Sequence, residues 1–305
     1  MHEMHEIPQI IFFCEKHYGG YGDRLIGMAS AITIARILGF SFTYSWEPEF
    51  MRLCKSSSSA DADANAFHLN LMNKKTSTIL ENEPLLDIWK NVKISANIPI
   101  DRLLWKNSNF SLGPYDAEAI RSFKEIMPAL GFSPPTMKYE CGVQIRCGDT
   151  YCMPHAQAAQ YIPEDTWPAL AAAVKNYLLK REITGAIYLT SDTYKIYEHF
   201  LKLNDDAIQF RVISRKEDIH FDFYNSNNRY KEIVDDHNEL QMCRRIITGL
   251  RSNFGTSAAY CSSVCDELII YDVNNLSFTE YNPREKVVLK EHLVHVKEHG
   301  FINTI

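Results

Sequence analysis

Apolar positions along the chain follow two rhythms: short apolar blocks, and longer stretches in which they return every third or fourth place. Ile7 to Phe13 is a block of the kind found in a central parallel strand. Leu25, Met28, Ala29, Ile32 and Ala35 then recur at helical spacing. That predicts a helix from Asp23, as its cap, to about Leu38, with Gly39 as its stop. Phe40 to Trp46 reads as a second strand, and a strand-loop-helix-strand unit of this kind implies a parallel sheet. Phe67 to Leu112 carries apolar residues in no assignable order. Asp116 to about Leu130 is again periodic, and Gly131-Phe132-Ser133-Pro134-Pro135 ends it.

Beyond those prolines the alternation restarts. A strand runs through Val143, Gln144 and Ile145 to Arg146, followed by a helix over Pro163 to about Lys180 and a strand over Ala186 to Thr190. A short helix at Tyr194–Leu201 and a strand at about Phe210–Ile213 come next, then a polar loop over Arg215–Lys231. His237 to about Leu250 reads as a helix, Ser252–Gly255 as a tight connection, Thr256–Cys265 as a helix and Leu268–Val273 as a strand. The predicted class is α/β, in two domains spanning 1–134 and 135–305, with a charged helix over about 284–299 placed to pack back on the first.

The chain has 305 residues, 46% of them hydrophobic, which suffices for two ordinary cores. Its net charge of −6 and lack of a basic field predict no nucleic-acid partner. No segment reaches the roughly 18 apolar residues of a membrane span, and Ile7–Phe13 lacks the flanks of a secretory signal. A soluble, cytoplasmic protein is the expectation. Eight cysteines without a Cys-x-x-Cys pair read as buried thiols rather than a zinc site or a disulfide framework. Asp61 and Asp63 fall in a serine-rich stretch and read as solvated; His292, His295 and His299 read as a polar helix face.

Three places carry candidate chemistry. Arg146 stands where a strand emerges, the usual ligand position in open α/β sheets, and its planar fork of donors fits a phosphate. A salt-bridged arginine is the plain alternative. Ser252-Asn253-Phe254-Gly255-Thr256-Ser257 puts hydroxyls and an amide at a helix start, where free N–H groups attract anions; ordinary capping by Ser252 or Thr256 is the alternative. Ser191-Asp192 closes another strand, to accept hydrogen bonds from a ligand or to cap the next helix. Gly20 and Gly22 partly fit a dinucleotide fingerprint whose third position is Leu25, and Glu47 follows the second strand. This leaves an NAD-dependent oxidoreductase as an alternative.

Taken in order, these pieces resemble the GDP-fucose-dependent fucosyltransferases: the peptide O-fucosyltransferases, the α-1,2- and α-1,6-fucosyltransferases and the nodulation fucosyltransferase. Gly19-Gly20-Tyr21-Gly22-Asp23-Arg24-Leu25 is similar to their glycine-rich first loop. Val143-Gln144-Ile145-Arg146-Cys147-Gly148-Asp149 resembles their strand ending in His-x-Arg-Arg-x-Asp. His237–Cys243 with Ser252-Asn253-Phe254 resembles their late helix and Ser-x-Phe turn. The resemblance implies a GT-B architecture, two Rossmann-like domains with parallel sheets facing a central cleft, and an inverting, metal-independent glycosyltransferase acting on a glycan or protein hydroxyl. It implies that Arg146 holds the β-phosphate, with Asp149 after it. Ser252, Phe254 and Ser257 would hold the diphosphate, Asp192 would lie near the nucleoside, and Gly20, Gly22, Arg24, Ser191 and Asn253 would complete the donor site. Asp23, Glu15 and Asp149 are candidate bases. Gln144 and Cys147 depart from the motif's histidine and second arginine, which keeps open another donor such as UDP-xylose, or a non-catalytic binding protein.

Overall fold

The computed structural model describes residues 9–13, 20–38, 41–45, 67–69, 102–106, 116–148, 162–212, 227–250 and 252–288. The chain divides into two compact units, the first built mostly from Asp23–Phe132 and the second from Gly20–Gly22 with Ser133–Lys290.

In the first unit, β1 (Gln9–Phe13), β2 (Ser41–Ser45), β3 (Phe67–Leu69) and β4 (Arg102–Lys106) form a four-stranded parallel sheet in the order β2-β1-β4-β3. Helix α1 (Tyr21–Leu38) links β1 to β2. It starts before Asp23, which therefore sits in its first turn and is not the cap. Leu25, Ile26, Met28, Ala29 and Ala31 are all fully buried, so α1 is apolar nearly all round. The hydroxyls of Ser30 and Thr33 can be buried there because each bonds the carbonyl four residues back, at 2.9 and 2.7 Å. Helix α2 (Asp116–Ala129) docks through Arg36, whose Nη1 donates to Ser122 Oγ (2.8 Å) and whose Nη2 pairs with Glu125.

The second unit contains β5 (Tyr139–Ile145), α3 (Trp167–Lys180), β6 (Gly185–Ser191), α4 (Tyr197–Leu201), β7 (Ile208–Val212) and α5 (Asn227–Gln241). These are followed by β8 (Cys243–Gly249), α6 (Asn253–Cys261), β9 (Glu267–Asp272) and β10 (Ser277–Tyr281). The sheet order is β10-β9-β8-β5-β6-β7, parallel throughout except for β10. Side chains alternate between its faces. Cys141, Val143 and Ile145 of β5 join Leu170 and Val174 of α3 and Phe200 of α4 in one core. On the other face α5 packs so closely that a Cβ on Gly142 would lie 3.0 Å from Leu240 of that helix, and 2.6 Å from Cys243 Sγ of β8.

At the amino ends of these strands the charged residues pair. Glu267 takes Arg181 Nη2 and Arg245 Nε, each at 2.9 Å, Arg245 Nη1 reaches Glu140 at 2.8 Å, and Arg181 also pairs with Glu280.

Three expectations need correction. Cys243–Gly249 is a central strand and not the end of a helix, because the helix starts earlier, at Asn227, and stops at Gln241. Ile246 and Ile247 are fully buried on opposite faces of that strand. Helix α6 spans Asn253–Cys261, not Thr256–Cys265. Arg284–Val288 is not helical, and the remainder of the expected terminal helix lies outside the described residues. The antiparallel β10 was not anticipated.

Candidate functional site

In the second unit the chain steps outward from β5 to β6 and β7, then returns to the other side of β5 to lay down β8 and β9. The direction reverses between β5 and β8, and ligands of open α/β sheets bind beyond the carboxyl ends of the strands at such a reversal. The two strands are in register, Gln144 opposite Thr248, so the segments beyond their carboxyl ends emerge side by side.

Arg146 is the first residue beyond β5 and is partly buried. The backbone then turns sharply at Gly148, whose φ of +112° few other residues adopt. Asp192 holds this turn from the end of β6. The Cys147 amide donates to its Oδ1 at 2.7 Å and the Gly148 amide to its Oδ2 at 3.0 Å, while Ser191 Oγ donates to Oδ1 at 3.2 Å. The Cys147 carbonyl accepts from the Ile162 amide at 2.8 Å. Two successive amides of this kind make an anion site in other loops; here the protein's own carboxylate occupies them. Cys147, at the place of the motif's second arginine, is fully buried in the core, with Sγ 3.8 Å from Ser191 Oγ. Beneath the loop lies the buried Tyr271 hydroxyl, whose neighbours include Cys147, Asp192 and the Arg146 amide. Burial pushes that phenol well above its usual range.

Beyond β8, the Ser252 amide donates to the Gly249 carbonyl at 3.0 Å, and α6 begins at Asn253. Ser252 has extended geometry, φ −108° and ψ 100°, but its side chain makes no capping bond. The residue is 2% exposed, and its hydroxyl has no partner among the described residues. A buried donor of this kind normally costs about 1–3 kcal/mol unless something bonds it. Thr256 instead bonds back to the Ser252 carbonyl at 2.8 Å. The first turn of α6 lies tight on the sheet. A Cβ on Gly255 would stand 2.3 Å from Thr248 Oγ1, which itself donates to Gln144 Oε1 at 2.6 Å.

His237 of α5 supports the same turn from below. Gln241 Nε2 donates to His237 Nδ1 at 3.1 Å, so the ring proton sits on Nε2 and is donated to Ser257 Oγ at 3.0 Å. Ser257 passes its own proton to the Phe254 carbonyl at 3.0 Å. The histidine is fully buried, and burial lowers its pKa to about 3, so the ring is neutral. Tyr21 and Phe254 meet it edge-on, with centroids 5.0 and 5.2 Å away.

The structure thus gathers Arg146, Ser191, Asp192, Ser252, Asn253, Phe254 and Ser257 at the carboxyl ends of one sheet. Gly20 and Gly22 belong to the same unit. The space above Gly22 is filled by protein: a Cβ there would lie 2.5 Å from the backbone of Asn253 and Phe254. Gly22 therefore lets two helix starts approach each other, which is not the role a dinucleotide fingerprint gives it. Asp23 and Arg24 lie in the part of α1 grouped with the first unit, Arg24 being buried. Asp149, Glu15, Glu47, Asp61, Asp63, His292, His295 and His299 lie outside the described residues. Sequence reasoning missed His237 as a support, the Gln144–Thr248 pair and Tyr271; only the pairing of His237 and Gln241 at i and i+4 carried a local signal. Among the described residues no three His, Cys, Asp or Glu side chains gather as a metal site, and no helix is long and apolar enough to cross a membrane.

Fold and site together define an α/β protein with two parallel-sheet units and a polar cluster at a switch point. The chain is similar in structure to Arabidopsis thaliana FUT1 in complex with GDP, at TM-score 0.50 and 10% identity over 90% of this chain and 73% of that one. It also aligns with POFUT1 in complex with GDP-fucose (TM-score 0.45, 10% identity, 86% of this chain and 97% of that one). A family 9 glycosyl transferase from Veillonella parvula aligns at TM-score 0.34 and 9% identity, over 97% of each chain. At such identities the likeness to FUT1 is one of fold, the two-unit α/β architecture of GT-B glycosyltransferases. No protein-family model and no curated protein matches the sequence.

Proposed function

We propose that this chain is an inverting, metal-independent glycosyltransferase that moves a sugar from a nucleotide diphosphate, with GDP-fucose the favoured donor, to a hydroxyl of a glycan or glycoprotein. One observation carries the reading: Arg146 and the Ser252 hydroxyl, buried and without a partner among the described residues, follow adjacent central strands at the switch point, beside the start of α6. A guanidinium, a hydroxyl and helix-start amides are the donors a diphosphate needs. The FUT1 and POFUT1 structures, similar in fold, hold GDP or GDP-fucose.

In the proposed reaction the acceptor oxygen attacks the anomeric carbon. The bond from that carbon to the β-phosphate oxygen breaks, and the nucleoside diphosphate leaves with the electron pair. Arg146 and the α6 amides stabilise the charge growing on the leaving oxygen, where preorganised donors act most strongly. The acceptor proton passes to a carboxylate or to solvent, with Asp23 and Asp149 the candidates.

Calorimetric titration of GDP and UDP into wild type and Arg146→Ala tests the proposal. A charge-assisted contact is worth about 1.5–3 kcal/mol, so the variant should bind roughly tenfold to a hundredfold more weakly. Equal binding removes the arginine from the site. Tighter binding of UDP than GDP moves the donor to a UDP-sugar, and retention of NAD with no diphosphate binding favours the oxidoreductase.

A further inference from the structure

Asp192 was expected beside the nucleoside, yet both of its oxygens are turned to the backbone that carries Arg146. We propose that Asp192 is a positioning residue, a carboxylate clamp that sets where Arg146 meets the diphosphate; this rests on the functional reading above. Oδ1 takes the Cys147 amide and the Ser191 hydroxyl, and Oδ2 takes the Gly148 amide, at 2.7, 3.2 and 3.0 Å. Those amides belong to the two residues directly after Arg146.

The clamp has its own foundation. The Ser191 amide donates to the Tyr197 hydroxyl at 3.0 Å, and Ser191 Oγ accepts from the Thr193 amide at 3.3 Å, so the end of β6 is braced before it reaches across. On its far side the loop is tied by the Ile162 amide, and Cys147 is anchored in the core. An arginine on such a loop starts from a fixed backbone, and fixed donors spend less ordering free energy when charge develops. The clamp also answers a difficulty of the site. With the Cys147 and Gly148 amides already bonded to a carboxylate, those two donors are taken, and on the proposed reading the side chain of Arg146 supplies the phosphate contact.

Asparagine at 192 keeps the shape but has one acceptor oxygen, and its NH2 group would face an amide N–H. The decisive measurement is GDP affinity by calorimetry on the full chain for wild type, Asp192→Asn, Arg146→Ala and the double variant. Asp192→Asn should weaken GDP binding about tenfold in the wild-type background and less than twofold when Arg146 is already alanine, because the carboxylate acts through the arginine. A tenfold loss in both backgrounds means that Asp192 touches the nucleotide or supports the whole site, and either overturns the clamp. Unchanged binding by Asp192→Asn, with Arg146→Ala weakened as expected, sinks the clamp and leaves the functional reading intact. Unchanged binding by Arg146→Ala sinks the functional reading itself, and the clamp with it. If Asp192→Asn does not fold, Ser191→Ala, which removes one bond to the same carboxylate, substitutes. About a threefold loss is expected, again absent in the Arg146→Ala background; its persistence there, or no loss at all, refutes the proposal.

Discussion

Acid should loosen the turn that carries Ser252 and Phe254 through one buried imidazole. His237 is fully buried and gives both ring nitrogens to fixed partners, Gln241 and Ser257, with no carboxylate bonded to either. Burial lowers its pKa from the ordinary 6.5 to about 3. A histidine whose folded pKa is depressed contributes its full stability above the unfolded pKa. That contribution is lost progressively as pH falls from about 6.5 towards 3, since only the unfolded chain takes up the proton in that window. From pH 7 to pH 5 the linkage relation puts the loss at about 2 kcal/mol from this group alone. Urea unfolding of wild type and His237→Gln at both pH values isolates it, because the other histidines cancel between the two proteins. The variant should be less stable at pH 7, having lost the Ser257 contact, and should lose about 2 kcal/mol less on acidification. Identical losses in the two proteins would refute the account of a neutral, buried imidazole.

Two further outcomes concern the same turn. Replacing a capping serine by alanine usually costs about 0.5–2 kcal/mol. Because Ser252 makes no capping bond, Ser252→Ala should unfold in urea with a free energy equal to or above that of wild type while weakening GDP binding several-fold; a loss above about 1 kcal/mol contradicts the absence of a capping bond. Gly22→Ala gains up to about 1 kcal/mol of helix propensity but drives a methyl into backbone that cannot rotate away, so a net loss of about 1–3 kcal/mol is expected by thermal or chemical unfolding; a stabilised variant contradicts the close approach.

Much of the architecture is legible in the sequence because it is local. The apolar block of β1 and the periodicity of α1 announce a parallel strand and a buried helix, and Val143-Gln144-Ile145 ends in Arg146 at the edge of the core, as its apolar run implies. Local pattern hides β8, since Arg244 and Arg245 suit the solvent face of a helix. They are tolerated in a central strand only because they sit at its amino end, where Glu140, Asp266 and Glu267 meet them. The Asp192 clamp was illegible for a different reason. A strand-end aspartate serves a cap, a ligand or a loop equally well, and its choice of amides 44 and 45 residues away is set by the sheet order, which no local pattern contains. The partial fingerprint at Gly20 and Gly22 is silent on what lies above Gly22, and only the packed structure shows Asn253 and Phe254 there.

The six-stranded sheet has two unlike poles. Its amino pole is stitched by arginines and carboxylates from β5, β8, β9, β10 and the end of α3, whereas its carboxyl pole holds the Ser252 hydroxyl, which no described residue answers. Under the proposed function, cohesion and recognition fall on opposite rims of one scaffold. Directed evolution towards a new donor should accumulate its changes on the carboxyl rim with little penalty in expression, while the same number of random substitutions along the stitched rim should deplete folded protein.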